Sequence, residues 1–404
     1  MKEVKQIPNP KSESLESTNS ELSDLRGHLN IGFDGKRAAR NFTGLGNYSR
    51  YLIKILAVHS PTNRYYIYSP KEFEQNLIQY PVIPASVSFR YPAKNILKNW
   101  WRSMGILKDL QKDKIQIYHG LSNEIPFGLK KKKIHSVVTI HDLIFLRFPE
   151  YYPLFDRIIY KIKVRYACNN ADKIIAISQQ TKKDIIHYLK IPECRIAVIY
   201  QNCNEIFRKQ LSDLYLNDIA KKYQLPDQYI LSVGTIESRK NLMLIVRAML
   251  HLNSKIHLIV IGKETAYAQK VKRFIAENTL TDRIHFLKNI PHEDLPGIYM
   301  QAEIFVFPSR FEGFGIPIIE ALHCGVPVIA ASGSCLEEAG GPESLYVKPD
   351  DEKEMANAIN LILNDRIKKN KMIEAGKEYV KCFSDEIVAA EIINVYHKLI
   401  ETNA

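Results

Sequence analysis

The feature that most constrains this chain is a rhythm of short apolar runs. Beginning with "LNIGFDG" (29–35), segments rich in Val, Ile and Tyr recur as "RYYIYS", "IQIYHG", "HSVVTIHDL", "KIIAIS" and "RIAVIY", with stretches of helical length between them. Such runs predict strands of a parallel sheet that is covered by helices on both faces. The series ends near residue 200. After a polar connector at about 205–227 it restarts with "YILSVG" and continues through "IHLIVIG", "RIHFLKNI", "EIFVFPS", "VPVIAA" and "SLYVKP". Two successive α/β domains of similar size are therefore expected, with a ligand cleft between them. A chain of 404 residues is too long for one compact core and suits two.

Composition narrows the function classes. A hydrophobic content of 46% is enough for both cores. No apolar run reaches the ~18 residues that would span a bilayer, and the N-terminus does not read as a signal peptide, so a cytoplasmic protein is expected. Residues 1–27 are polar and without periodicity, which predicts a disordered tail. The cysteines (168, 194, 203, 324, 335 and 382) show no metal-ligand spacing and read as reduced, mostly buried thiols. A formal charge of +12 favours an anionic partner. No nucleic-acid reader motif accompanies it, so phosphorylated substrates or anionic lipid are the expected partners.

Several motifs fall where strands end. "RFEGFGIPIIEALHCGVPVIA" (310–330) places Glu312 in a glycine-rich loop and Glu320 eight positions on, in what reads as the first turn of a helix beginning near Pro317. Ionised carboxylates are rarely buried alone, so an apolar stretch carrying two of them implies partners. The alternative is a solvated loop residue and a helix cap. "VGTIESRKN" (233–241) ends a strand at Gly234 and presents Arg239 and Lys240 before the next helix. A guanidinium fork and an ammonium point charge at a sheet's carboxyl edge suit a diphosphate, although a solvated basic turn has the same sequence. "TGLGNYSRYL" sets Gly44 and Gly46 before a helix with Tyr48, Tyr51, Leu52 and Ile55 at helical spacing. It lacks the third glycine of a dinucleotide fingerprint, which argues against a dehydrogenase. His141 ends the strand "VVTIHDL", where a lone histidine is ordinarily structural or capped by a neighbour such as Asp142.

Taken together, "TGLGNYSRYL", "TIHDLIFLRFPE", "AISQQTKKDI", "GTIESRKNL" and the Glu-x7-Glu stretch resemble the retaining glycosyltransferases of family 4. The resemblance runs from about residue 29 to the C-terminus. It points to the branch that contains bacterial mannosyltransferases of O-antigen and capsule synthesis. It implies the GT-B fold, two Rossmann-like domains facing across a cleft. Here these would be an acceptor domain at 28–205, a nucleotide-sugar domain at 206–384, and a final helix within 385–404 crossing back to the first domain.

The resemblance also implies roles. Arg239 and Lys240, beside Gly234, would hold the donor diphosphate, and Glu320 the ribose hydroxyls. Glu312 would contact the transferred sugar with the backbone N–H groups of Phe314 and Gly315. Gly44 and Gly46 would approach the phosphates, and His141 the sugar and acceptor side. Many relatives carry Arg directly after the phosphate-strand glycine where this chain has Thr235; Arg239 is expected to supply that fork. The donor implied is GDP-mannose, with UDP-linked hexoses behind it. The acceptor is a glycan or a polyprenyl-diphosphate-linked sugar. No D-x-D triplet occurs, so neither a metal nor another cofactor is expected. A catalytically silent sugar-nucleotide-binding membrane scaffold is the non-enzyme alternative.

Residues 94–114, "KNILKNWWRSMGILKDLQKDK", combine both tryptophans with a basic excess. Ile96, Leu97, Trp100, Trp101, Met104, Leu107 and Leu110 fall near one helical face, flanked or opposed by Lys94, Lys98, Arg102, Lys108 and Lys112. With Lys130–Lys133 nearby, this predicts peripheral attachment to an anionic membrane surface on the cytoplasmic side. The competing reading is a domain helix that packs the same stripe into the core.

Overall fold

A computed structural model describes residues 28–41, 43–73, 84–93 and 97–401. The tail expected over 1–27, and Lys94 and Ile96 of the amphipathic stretch, lie outside the described residues.

The first sheet is built from β1 (Asn30–Asp34), β2 (Arg64–Tyr68), β3 (Val87–Arg90), β4 (Ile117–Gly120), β5 (His135–Ile140), β6 (Lys173–Ala176) and β7 (Ile196–Val198). Its helices include α1 (Gly44–His59), α2 (Ile106–Lys112), α3 (Leu154–Asn170) and α4 (Gln179–Leu189). The strand order is β3-β2-β1-β4-β5-β6-β7. The second sheet follows α5 (Asp213–Tyr223) and comprises β8 (Tyr229–Val233), β9 (His257–Ile261), β10 (Ile284–Leu287), β11 (Ile304–Phe307), β12 (Val328–Ala331) and β13 (Leu345–Val347), in the order β10-β9-β8-β11-β12-β13. Among its helices are α6 (Leu295–Met300), α7 (Ile316–His323) and α8 (Leu336–Gly340), and the chain closes with α9 (Asp385–Glu401). Strand pairs are parallel throughout both sheets where the register is defined. The order reverses between β8 and β11, which makes the carboxyl ends of those strands the topological switch point where such sheets bind ligands.

The chain divides into two compact units. One runs to His119 and adds Pro126–Ser136 and Tyr396–Ala404; the other comprises Gly120–Ile125 and Val137–Val395. In the first, the amphipathic stretch breaks into two helical pieces joined by a π-helical turn at Trp101–Gly105. The wider turn shifts the register, so the single apolar stripe expected at 3.6 residues per turn does not persist. Trp101, Ile106 and Leu110 are buried, and Trp101 Nε1 donates to Asp109 Oδ2 at 2.7 Å. Leu97, Trp100 and Met104 point outward. Arg102, expected to flank the stripe, pairs instead with buried Asp34 at the end of β1 at 2.9 Å. Also in this unit, Tyr396 of α9 and His119 of β4 share a 2.6 Å hydrogen bond.

In the second unit the sheet β8–β13 shows why its strands read as continuous apolar runs. Ile230, Leu258, Ile304 and Ile329 face one layer of helices, while Leu231, Ile259, Phe305 and Val328 face the other. Two local features were not read from the sequence. The polar connector at 205–227 contains helix α5, with Phe207 buried before it and Ser212 capping it by accepting from Tyr215 N at 3.3 Å. Strand β3 had gone unread, since "VSFR" is half-buried throughout and lies at the sheet edge. Cys168, Cys203, Cys324 and Cys335 are buried, and Cys194 is exposed.

Candidate active site

The site begins where β8 stops. Gly234 has φ +148°, a conformation that favours glycine, and lets the chain turn off the strand into a short 3-10 turn at Ser238–Lys240. That turn is laced to the loops after β11 and β13: Arg310 N donates to Arg239 O at 2.9 Å, and Asn241 Nδ2 donates to Pro349 O at 2.7 Å. Arg239 and Lys240 are thereby aimed at Glu312. Glu312 Oε1 lies 2.6 Å from Lys240 Nζ and 2.8 Å from Arg239 Nη1, and accepts from Ser309 Oγ at 2.5 Å. Burial alone would raise the Glu312 pKa; the Lys240 and Arg239 charges outweigh it and hold the carboxyl below its ordinary range.

Arg239 is further committed, with Nη1 donating to Phe311 O at 2.6 Å and Nη2 to Glu237 Oε1 at 2.6 Å. The diphosphate fork expected from the sequence is thus occupied at both terminal nitrogens by the protein itself. Lys240 instead rests over the Phe307 ring, its Nζ 4.7 Å from the centroid.

Glu320 is set differently. Helix α7 starts at Ile316 with Pro317 in its first turn, so Glu320 falls in the second turn, one turn later than expected. Its Oε2 accepts from the hydroxyl of fully buried Tyr299 at 3.0 Å. Desolvation pushes its carboxyl up to about 7, and the Tyr299 hydrogen bond only partly opposes this.

Between the two glutamates the backbone is tightly constrained. Gly315, with φ +140°, holds a backbone conformation that strains any side chain, and a Cβ there would crowd Ala339 Cβ at 3.1 Å. Phe314 stacks on Tyr200 at 5.3 Å, and Cys335 Sγ donates to the carbonyls of Glu312 and Phe314 at 3.0 Å each. The amide N–H groups of Phe314 and Gly315 have no acceptor among the described residues.

His141 reaches this loop through its backbone. A Cβ on Gly313 would lie 2.3 Å from His141 O, and Thr181 Oγ1 is shared between His141 O (3.3 Å) and Gly313 O (3.4 Å). The imidazole itself is buried, with Nε2 2.8 Å from Leu121 O, which places the neutral ring's proton on Nε2. Asp142 does not cap the histidine; its Oδ1 accepts from Ile144 N at 3.1 Å. Burial raises the Asp142 pKa while Arg239 opposes and Glu312 adds to the rise, so Asp142 belongs to the same charge cluster.

A second carboxylate also went unrecognised in the sequence. Glu338 accepts from Gln179 N (2.6 Å) and Gln180 N (3.0 Å) in the first turn of α4, and from Tyr200 OH (3.1 Å). The available signal was an acidic pair in "CLEEAGG", with nothing to say which helix end it would meet.

Gly44 and Gly46 lie in the first unit and sit inside the first turn of α1, not in a loop before it. Gly44 faces open space. A Cβ on Gly46 would collide with Asn41 O at 1.8 Å, so that glycine is needed for packing whatever else it does.

A model named "Glycosyl transferases group 1" matches residues 217–379, and "Glycosyltransferase Family 4" matches 44–201. The chain is 29% identical over 376 residues to O-antigen chain mannosyltransferase B of Escherichia coli, covering 88% of this chain and 96% of that protein. To O-antigen chain mannosyltransferase RfbU of Salmonella typhimurium it is 28% identical over 56% of this chain and 61% of that one. Among solved structures, sucrose-phosphate synthase from Thermosynechococcus elongatus superposes with a TM-score of 0.74 at 22% identity over 93% of this chain and all of that one. Anabaena HepE in complex with UDP and glucose gives 0.73 at 17% identity, over 92% of this chain and 100% of that one.

Proposed function

Since the chain belongs to the family 4 glycosyltransferases and has their GT-B fold, we propose that it transfers a hexose with retention of configuration, mannose from GDP-mannose ahead of a UDP-linked hexose, onto a glycan or polyprenyl-diphosphate-linked acceptor during cell-surface polysaccharide synthesis. The O-antigen mannosyltransferases similar to it support the choice of sugar. The observation that carries the reading is the Glu312–Arg239–Lys240 cluster at the β8/β11 switch point.

In this reading the donor diphosphate lies against Lys240, whose ammonium has donors beyond the one given to Glu312. Arg239 adds positive charge while it fixes the loop. As the sugar–phosphate bond breaks, charge grows on the departing diphosphate, and preset cations stabilise that state more than the ground state. Glu320 accepts the ribose hydroxyls, and the amides of Phe314 and Gly315 meet the sugar. Glu312 positions the sugar and balances the cations without acting as a nucleophile. The leaving phosphate takes the acceptor's proton on the same face. Gly44 and Gly46 approach the phosphates, His141 faces the acceptor side, and residues 28–205, 206–384 and 385–404 form the acceptor domain, donor domain and returning helix. Attachment to the inner face of the cell membrane is supported by outward-facing Leu97, Trp100 and Met104 and by the exposed Lys130–Lys133 run.

The test is a panel of nucleotide-sugars assayed for thermal stabilisation and slow hydrolysis, with and without EDTA. GDP-mannose should give the largest shift and hydrolysis that survives the chelator. Stabilisation without hydrolysis by any donor would leave a silent binder, and no response to any donor would defeat the reading.

A further inference from the structure

Helix α3 is built with its apolar side outward. Val164, Ala167 and Cys168 are buried and anchor it to the sheet, and Tyr160 joins an aromatic group with Phe145 (5.8 Å) and Tyr152 (6.3 Å). On the opposite side Leu154 is 66% exposed, Phe155 73%, Ile158 49% and Ile162 64%. Residues 154, 158 and 162 are successive i, i+4 neighbours and 155 adjoins them, so the four make one continuous stripe along about 12 Å of helix. The solvent face of a globular helix ordinarily carries charges there. The helix's own charges flank the stripe instead: exposed Lys161 and Arg165 on one side, and on the other Lys163, paired with Glu124 at 3.3 Å.

We propose that α3 is a membrane-docking helix whose Leu154, Phe155, Ile158 and Ile162 enter the interface of an anionic leaflet while Lys161 and Arg165 meet its headgroups. An apolar stripe bordered by basic residues is the pattern of a helix lying in a membrane surface. The charge also argues against a second copy as occupant. Two such faces would bring Lys161 and Arg165 of one chain toward those of the other, in a protein of net charge +12. This surface was not visible in the sequence, where the tryptophans of 94–114 drew the membrane assignment. It rests on exposure and charge alone and does not depend on the donor or the reaction.

The experiment is co-sedimentation of the full chain with phosphatidylcholine vesicles, with and without phosphatidylglycerol. It compares wild type, Phe155→Ser/Ile158→Ser/Ile162→Ser, Lys161→Glu/Arg165→Glu and Trp100→Ser. Wild type should pellet with anionic vesicles, and both α3 variants should partition at least roughly tenfold less. Their melting temperatures and nucleotide-sugar hydrolysis in solution should stay at wild-type values, because the altered side chains are exposed. Unchanged partitioning of the α3 variants would overturn the proposal, as would loss of binding in Trp100→Ser alone or wild type that pellets with neither vesicle. A wild-type dimer abolished by the triple substitution would overturn it in favour of self-association. Vesicle binding by a protein that hydrolyses no donor would break the functional reading and leave this one standing.

Discussion

Glu312 and Glu320 are the same residue in one motif, eight positions apart, yet the structure treats them oppositely. On the loop, Glu312 is met by Lys240, Arg239 and Ser309 and is held ionised despite its burial. On α7, Glu320 has among the described residues only the Tyr299 hydroxyl, and desolvation lifts its carboxyl to about 7. Two nearly buried carboxylates can thus differ in charge near neutral pH because of what surrounds them. The first is a finished ion cluster. The second is short of hydrogen-bond donors, which is what a site awaiting ligand hydroxyls requires.

The largest break in this contrast should come from Glu312→Gln. Removing one partner of a mostly buried cluster takes the carboxylate from Lys240 and leaves Arg239 with Glu237, at a cost of about 3 kcal/mol, to be measured by thermal unfolding. Sugar transfer should fall about a hundredfold. Affinity for free nucleoside diphosphate should hold or rise, because a competing carboxylate has gone. A variant with weaker diphosphate affinity and normal turnover would reverse the assignment.

Next in size, Lys240→Ala should weaken binding of nucleoside diphosphate by about 1.5–3 kcal/mol in calorimetry, as expected for a lost charge-assisted contact. Arg239→Ala should cost less affinity and more stability, since its terminal nitrogens already serve Glu312, Glu237 and Phe311. Equal losses of affinity would mean that the guanidinium turns to the ligand.

Glu320→Gln is expected to act through pH. A carboxyl whose pKa is raised in the folded state contributes stability that is fully present below its unfolded value near 4.5. That contribution is lost as pH rises through about 7. The variant lacks this titration, so its melting temperature relative to wild type should climb across that window and exceed it above pH 7. Glu312 runs the other way: its lowered pKa gives stability present above the ordinary carboxylate range and lost on acidification. The smallest expected effect is Tyr299→Phe, which removes the one hydrogen bond that lowers the Glu320 pKa. It should move the wild-type pH profile to higher pH without abolishing binding.

Much of this was legible because parallel sheets write themselves plainly. Strands buried on both faces give continuous apolar runs, so β8, β9, β11 and β12 could be read from composition, and their ends located Gly234 and Glu312. What escaped depended on distant partners. Edge strand β3 alternates too weakly to stand out, and the π-helical turn at Trp101–Gly105 separates two tryptophans that one helical wheel had placed together. Likewise, no local pattern says that Glu338 will accept from the first turn of α4, or that Arg239 will be occupied by Glu237 and Phe311. The outward stripe of α3 was hidden because apolar residues at helical spacing ordinarily mean core.

The most direct measurement is the calorimetric affinity of GDP and UDP for wild type and Glu320→Gln, followed from about pH 6 to about pH 8, a window that brackets the raised Glu320 carboxyl. The variant serves as the control for the nucleotide's own titration. If Glu320 is a ribose-binding carboxyl that must ionise to accept hydroxyl protons, wild-type affinity will rise more steeply than the variant's, and the two curves will diverge through pH 7. Parallel curves of equal affinity would contradict the account, because Glu320 would then be a buried structural carboxyl and the unequal pair would not be a donor site.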